Sequence, residues 1–352
     1  GSYIKLYQAG GGADTAFLLA EGNVFIFVTE VDKYVIRGKN LIVGASELIL
    51  NEIGGMETNR VETAVADASS TVRKISREKL AQSLDSHSFM MNLSVVLAKQ
   101  VLLTNSIINK NLAALDGDDR RSREISSEYY RIVERLRAEF DKRRLPWLRD
   151  IVKKFEASLT YKRGETFERT SEPTKIVTGK ELESRMVEFP KGALICDEGT
   201  EGSEMYILQS GSIDVLISGN RVTSIADGGT VIGEMALLLG EKRTATLRAG
   251  NNVVLTVIRK SELPEISRSQ PDLFRQIASS LARKHYFNVE KIHAVNRMLI
   301  EMEIHGDEEK REKKKRELQH AFSELASLKK EVRSAVSSKP AEFLDDLVES
   351  LG

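Results

Sequence analysis

With 352 residues the chain is too long for one ordinary hydrophobic core, so its length predicts two or more domains. Lys and Arg number 52, as do Asp and Glu, so no net charge draws the chain to nucleic acid or an anionic membrane, and we expect neither as a partner. The single cysteine, Cys196, excludes an internal disulfide bond and fits a reducing, cytoplasmic location. The five histidines lack metal-ligand spacing, so we expect no metal.

An internal repeat organises the chain. Gly22 and Gly211 are 189 residues apart, and so are Gly44 and Gly233. A constant offset over this distance predicts two copies of one domain. The matching segments are AFLLAEGNVFIFV (16–28) with MYILQSGSIDVLI (205–217), and LIVGASELIL (41–50) with TVIGEMALLL (230–239).

Each copy is predicted to consist of short strands separated by glycines and followed by a helix. The closing helix is predicted over residues 89–108 in the first copy and from Pro271 in the second. Between the copies we expect charged helices interrupted at Pro146, then a polar loop, KRGETFERTSEPTK. The predicted segments are a first domain (1–115), a helical linker (116–180), a second domain (181–300) and a charged helical tail (301–352).

Two helical stretches near the C-terminus carry narrow apolar seams. Each seam predicts either a partner helix or packing within the chain, and the spacing does not separate the two. One seam suggests a homodimer and the other an unidentified protein partner. The first comprises Ile292, Val295, Leu299 and Met302; the second comprises Leu318, Phe322, Leu325, Leu328 and Val332; a short amphipathic segment, 343–351, follows.

The stretch GEMALLLGEKRTATLRA (233–249) places opposite charges at the two ends of a short apolar helix. Gly233 lets a ligand approach the backbone, and the start of a helix attracts anions. Arg243 can contact a phosphate through two hydrogen bonds. Glu234 would repel a phosphate but can accept hydrogen bonds from hydroxyl groups. A ligand with both a phosphate and a ribose would satisfy the two charges.

This pattern resembles the phosphate-binding cassette of the cyclic-nucleotide-binding domain family. The resemblance covers about residues 181–300 well and residues 3–110 in degenerate form. It implies a mixed β plus α fold, with two cyclic-nucleotide-binding β-roll (jelly-roll-like) domains joined by a helical linker and followed by a C-terminal helical tail. It also implies eight strands in a roll, with the cassette helix inside and a hinged helix pair outside.

The resemblance assigns roles to individual residues. Glu234 would accept the ribose 2′-hydroxyl, and Arg243 would bind the cyclic phosphate. Thr244 permits cGMP as well as cAMP, whereas an amide at position 288 suits adenine, so we favour cAMP. The remaining implied ligand contacts are the backbones of Gly233, Met235, Ala236, Thr244 and Ala245, the side chains of Val215 and Ala236 along the base, and Asn288 above it.

The first copy departs from the pattern. Ala45 stands where the second copy has Glu234, so the ribose carboxylate is missing. One alignment places Arg60 opposite Arg243, and another puts Glu62 at the phosphate position. Glu47 could replace the ribose carboxylate only if a longer loop re-aimed it. We therefore expect the first domain to bind no cyclic nucleotide.

The sequence thus predicts a non-enzymatic sensor that binds cAMP, or cGMP, in its second domain and relays binding through its C-terminal helices. The alternative is a structural scaffold whose nucleotide sites are vestigial. Two other classes fit less well: a transcription factor would need a helix-turn-helix after residue 300, and a kinase regulatory subunit would need an inhibitory segment ahead of both domains.

Overall fold

The computed structural model describes residues 3–115, 117–168, 175–176, 179–304 and 308–338. Residues group into two units: Gly1–Asn105 with Ser171–Val289, and Ser106–Thr170 with Glu290–Gly352. The first unit holds all the strands described here, so we call it the β-rich unit, and we call the second the helical unit. The predicted boundaries at 115, 180 and 300 stay predictions.

The first sheet of the β-rich unit is antiparallel, and its long second strand pairs differently on either side of Gly22. Before Gly22 it pairs with β5, and after it with β4. Gly22 has φ 123°, and a side chain there would collide with Ser70. The strands are β1 (Tyr3–Tyr7), β2 (Thr15–Phe27), β3 (Lys33–Val43), β4 (Thr63–Asp67) and β5 (Thr71–Ser76), in the order β1-β4-β2-β3 with β5 on β2.

Eight further strands form two four-stranded antiparallel sheets within the described residues 186–259. Alternating apolar side chains, among them Leu208, Ile213 and Leu255, fill their core. The strands are β6 (Met186–Phe189), β7 (Leu194–Cys196), β8 (Glu204–Ser210), β9 (Ile213–Ile217), β10 (Asn220–Ile225), β11 (Val231–Ile232), β12 (Thr246–Ala249) and β13 (Val253–Arg259). This is the β-roll that the sequence predicts.

The helices of the β-rich unit pack against these sheets through one apolar core, which includes Leu48, Leu237 and Phe274. Pro271 begins α9, as the sequence predicts, because its fixed φ and missing N–H suit a first helical turn. The helices are α1 (Ser46–Glu52), α2 (Arg77–Ser83), α3 (His87–Ala113), α7 (Glu234–Leu239), α8 (Leu263–Ser269) and α9 (Pro271–Ile304); α3 and α9 continue into the helical unit.

The helical unit contains α4 (Gly117–Arg143), α5 (Pro146–Glu156), α6 (Leu159–Glu168) and α10 (Glu308–Ser337). The break predicted at Pro146 is confirmed. The polar loop prediction is wrong for residues 162–168, which belong to α6. The helix is held by the buried side chains of Tyr161 and Phe167 and by the close contact of Gly164 with α4. The polar composition of the segment gave no sign of this packing.

Both C-terminal seams are covered in part by the chain itself. In α10, Leu318, Leu325, Leu328 and Val332 are buried against α4 and α5, whereas Phe322 is half exposed. The intrachain alternative therefore holds for most of this seam. Four of the five residues of the predicted seam are thus unavailable to a partner protein.

The predicted dimer seam is likewise buried in part. Ile292 and Val295 are completely buried, and Val295 packs with Leu115 and Phe167. These two positions therefore leave no apolar surface for a second copy of the chain. The side chain of Met302 and the predicted segment 343–351 lie outside the described residues.

Helix α3 is long and apolar enough to span a membrane by length and composition alone. Half of the relevant stretch is buried inside the protein, where Leu93, Leu97 and Val101 belong to the core of the β-rich unit. Core helices of soluble proteins pass the same test, so the finding is weak evidence for a membrane segment.

Candidate functional site

Glycine bounds the cassette helix α7 at both ends. Gly233 and Gly240 adopt left-handed backbone conformations, with φ 83° and 66°. Leu237 faces the core and is completely buried, so the apolar run is anchored from inside. A Cβ at position 233 would collide with the guanidinium of Arg243. Glycine is thus needed here both for its backbone conformation and for the approach of this arginine.

Glu234 is buried at the start of α7, 6% exposed. Lys284 of α9 donates to its Oε1 at 2.6 Å. The lysine side chain is 29% exposed, so solvent reaches one partner of this ion pair and hardly reaches the other. The carboxylate of Glu234, which is predicted to accept a ribose hydroxyl, is therefore bound by a lysine side chain that solvent can reach.

Arg243 is buried as well, 7% exposed, just after α7. Its guanidinium donates to the carbonyl oxygens of Gly233 and Glu204 and lies 5.3 Å from the ring centre of Tyr206. Among the residues that the structure describes, no carboxylate oxygen lies within 4.0 Å of it. The ion pair between Glu234 and Arg243 that would make this pattern merely structural is therefore not formed.

The other predicted contacts lie on the elements that surround these two charges. Met235 and the buried Ala236 follow Glu234 on α7, and exposed Thr244 and half-buried Ala245 lead into β12. Strand β12 pairs with β9, where Val215 lies opposite Leu247. Eight of the nine predicted residues thus lie on β9, on α7 or its N-cap Gly233, or in the segment between α7 and β12.

Asn288, the ninth, lies on α9, and its amide contacts α3. It donates to Thr104 Oγ1 at 3.0 Å, to Asn105 Oδ1 at 2.9 Å and to the carbonyl of Val101 at 3.4 Å. In this structure its amide hydrogens are therefore engaged within the β-rich unit.

Lys284 is the functional candidate that the sequence did not identify. It continues the helical spacing of Leu273, Ile277 and Leu281, all buried apolar positions of α9. A lysine at an otherwise apolar position was the available signal. Its partner, 50 residues earlier, could come only from tertiary structure.

In the first half of the β-rich unit, Gly1–Asn105, Arg60 lies where its alignment with Arg243 predicts it. It is buried and donates to the carbonyl oxygens of Gly44 and Thr15. Glu47 Oε2 lies 3.0 Å from Arg60 Nη1, and the N–H of Val61 donates to Glu47 Oε1 at 3.1 Å. Glu47 is therefore re-aimed, but toward the arginine, and the alignment that puts Glu62 at this position does not hold.

Glu62 belongs to a buried network with α9. Tyr34 donates to its carboxylate at 3.0 Å, and His285 Nε2 lies 3.2 Å from Oε1. On the other side of the ring, His285 Nδ1 lies 2.9 Å from the hydroxyl of Ser46. Burial by itself lowers the pKa of His285, but the carboxylate of Glu62, with a contribution from Glu47, outweighs it and raises the pKa above 6.5.

Comparison with known families identifies the second half of the β-rich unit. Residues 186–270 match the cyclic nucleotide-binding domain. They form one such domain, a β-roll that includes α7 and Arg243. The family match does not extend to the first half, whose assignment as a second, degenerate copy stays a prediction.

The relatives found by sequence include an ion channel. Over 99 residues the chain is 35% identical to the potassium/sodium hyperpolarization-activated cyclic nucleotide-gated channel 4 of Homo sapiens and to that of Oryctolagus cuniculus. The match covers 28% of this chain and 8% of each channel. The chain thus corresponds to less than a tenth of the length of these relatives.

Solved structures with similar regions include a cAMP-bound PfPKA-R, 17% identical, with a TM-score of 0.27 over 77% of this chain and 74% of the other. The N-terminal domain of a transcriptional regulator from Streptomyces coelicolor A3(2) is 22% identical, with a TM-score of 0.26 over 30% of this chain and 84% of the other.

Proposed function

We propose that the protein is a non-enzymatic sensor that binds a cyclic nucleotide in its second half. The observation that supports this most directly is Arg243. A buried guanidinium without a carboxylate is costly, because carbonyl partners compensate only part of the lost hydration. A cyclic phosphate would supply the missing negative charge beside a carboxylate, Glu234, that can accept a ribose hydroxyl.

The ligand contacts follow from this placement. Arg243 and the N–H groups of Thr244 and Ala245 bind the phosphate, Glu234 binds the 2′-hydroxyl, and the backbone of Gly233, Met235 and Ala236 completes the cradle. Val215 and Ala236 lie along the base. We favour cAMP, with cGMP as the alternative that Thr244 permits.

Nucleotide binding is coupled to α9 through Lys284. A ribose hydroxyl that donates to Glu234 competes with the ammonium group of Lys284 for the same carboxylate. A ligand shifts a conformational equilibrium only when it contacts the two states differently, and this competition provides such a difference. Release of Lys284 frees α9, whose Asn288 then leaves α3 and closes over the base. The C-terminal helices relay this movement.

We also propose that the first half is a degenerate copy of the same domain and that the protein acts in the cytoplasm. Arg60 and Arg243 support the copy: each donates to the carbonyl of the glycine before its short helix and to that of the residue that begins β2 or β8. The competing function is a scaffold in which both sites are vestigial.

Isothermal titration of the chain with cAMP, and separately with cGMP, tests the sensor. We expect one site per chain with a dissociation constant near ~1 μM, or about −8 kcal/mol. The tighter ligand identifies the preferred base. No binding heat and an unchanged melting temperature with both nucleotides would support the scaffold instead.

A further inference from the structure

The two arginines hold the same backbone positions but differ in their negative partner. Gly44 and Gly233, whose carbonyls accept from Arg60 and Arg243, are 189 residues apart, and so are the second acceptors, Thr15 and Glu204. The two guanidinium groups therefore lie in equivalent surroundings. Of the two, only Arg60 has a carboxylate beside it among the described residues.

Glu47 is bound by the groups that would hold a phosphate. It accepts from the guanidinium of Arg60 and from the N–H of Val61, the next residue in the chain. In the second half the corresponding donors are Arg243 and the N–H of Thr244, both assigned to the cyclic phosphate. Carboxylate and phosphate oxygens accept hydrogen bonds from such donors with similar geometry.

The pair is closed to solvent. The side chains of Arg60 and Glu47 are 1% and 3% exposed, and the ring of Tyr7 covers the guanidinium, 4.2 Å from its carbon. The neighbouring acid, Glu62, is engaged by Tyr34 and His285. Glu47 is thus the carboxylate that balances Arg60.

We infer that Glu47 is a built-in anion that occupies the phosphate position of the first half, so that this half is a site permanently filled by its own chain. The inference rests on the proposed correspondence between the two halves. It implies that the donors around Arg60 remain competent to bind a small oxyanion once the carboxylate is removed.

The test is to remove the carboxylate and offer inorganic phosphate. The variant Glu47→Ala should melt roughly 10 °C below the unchanged protein, because a buried arginine loses its partner. Added phosphate should restore much of this loss in a saturable way, whereas chloride at equal ionic strength should not. If the variant does not fold in chloride, phosphate should restore its cooperative melting transition.

Two matched variants isolate the site. Glu47→Ala combined with Arg60→Met should show only the general stabilisation that phosphate gives many proteins. Glu47→Gln should not respond either, because the amide still fills the position. Equal phosphate responses in Glu47→Ala and the double variant would reject the inference and leave Glu47 an ordinary ion-pair partner.

The second site is assessed separately. Titration of the unchanged protein with cAMP reports on Arg243, whereas phosphate rescue of Glu47→Ala reports on Arg60. Phosphate rescue without cAMP binding would overturn the sensor and leave this inference standing. Binding of cAMP without phosphate rescue would support the sensor and overturn this inference.

Discussion

Single side chains distinguish the two halves of the β-rich unit. Arg60 and Arg243 are both buried and both donate to backbone carbonyls. Glu47 balances the first charge, and no described carboxylate balances the second. The two arginines therefore have different partners, and the difference arises from one acid in α1.

Reversing the charge at Arg243 should abolish nucleotide binding. Arg243→Glu places a carboxylate at the proposed phosphate position, so we expect affinity for cAMP to fall by about 100-fold or more. Isothermal titration measures the change. Arg248→Glu is the matched control, because Arg248 is exposed on the adjacent strand β12 and should retain normal binding. Normal binding by Arg243→Glu would place the nucleotide elsewhere.

Removing the competitor of the ribose should tighten binding. In Lys284→Met the carboxylate of Glu234 no longer has to exchange an ammonium group for a hydroxyl, so we expect roughly two- to ten-fold higher affinity. Lys284→Arg keeps the charge and should bind as the unchanged protein does. Weaker binding by Lys284→Met would show that Lys284 contacts the ligand rather than competing with it.

At the scale of elements, α9 presents neighbouring side chains to both halves of the β-rich unit. Lys284 reaches Glu234 of the second half, while His285 and Asn288 reach the first half through Ser46, Glu62 and α3. The helix that we propose closes over the base thus also contacts the first half through buried side chains. Its position therefore responds to changes in either half.

The contact of α9 with the first half should depend on pH. Because the pKa of His285 is raised above 6.5 in the folded protein, its protonated form adds stability that is fully present below pH 6.5 and lost as pH rises through the folded pKa. Melting temperatures across this range should fall more for the unchanged protein than for His285→Gln. Parallel curves for the two proteins would show that protonation of His285 adds no stability over this range.

Helices α4 and α6 approach each other closely at Gly164. A Cβ there would overlap the carbonyl of Ser126, so Gly164→Ala should force the helices apart and cost about 1–3 kcal/mol. Thermal unfolding followed by circular dichroism measures the loss. Gly117→Ala is the control, because no atom lies within 4 Å of a Cβ at that position. Equal melting of both variants would mean that the α4–α6 contact is looser than described.

For the whole molecule, local chemistry determined what the sequence could predict. The cassette from Gly233 to Arg243, the β-roll around it and the start of α9 at Pro271 all depend on residues close together in the chain. The partner of Glu234 is on α9, 50 residues further along the chain, and the partner of Glu47 follows a loop whose length left two alignments open, so neither pairing could be predicted. An apolar seam has the same residue spacing whether it packs on another chain or on its own. The sequence alone therefore could not show that Ile292 and Val295 are buried within the chain.

The adjacency of Lys284 and His285 links two equilibria. Successive residues of an α-helix diverge by about 100° around its axis, so a small rotation of α9 disturbs both contacts at once. In the proposed mechanism, nucleotide that displaces Lys284 would thereby weaken the contact of the protonated His285 with Glu62, and by reciprocity a proton bound at His285 would oppose the nucleotide. The same concentration of nucleotide would then occupy fewer molecules in an acidified cell than in a neutral one.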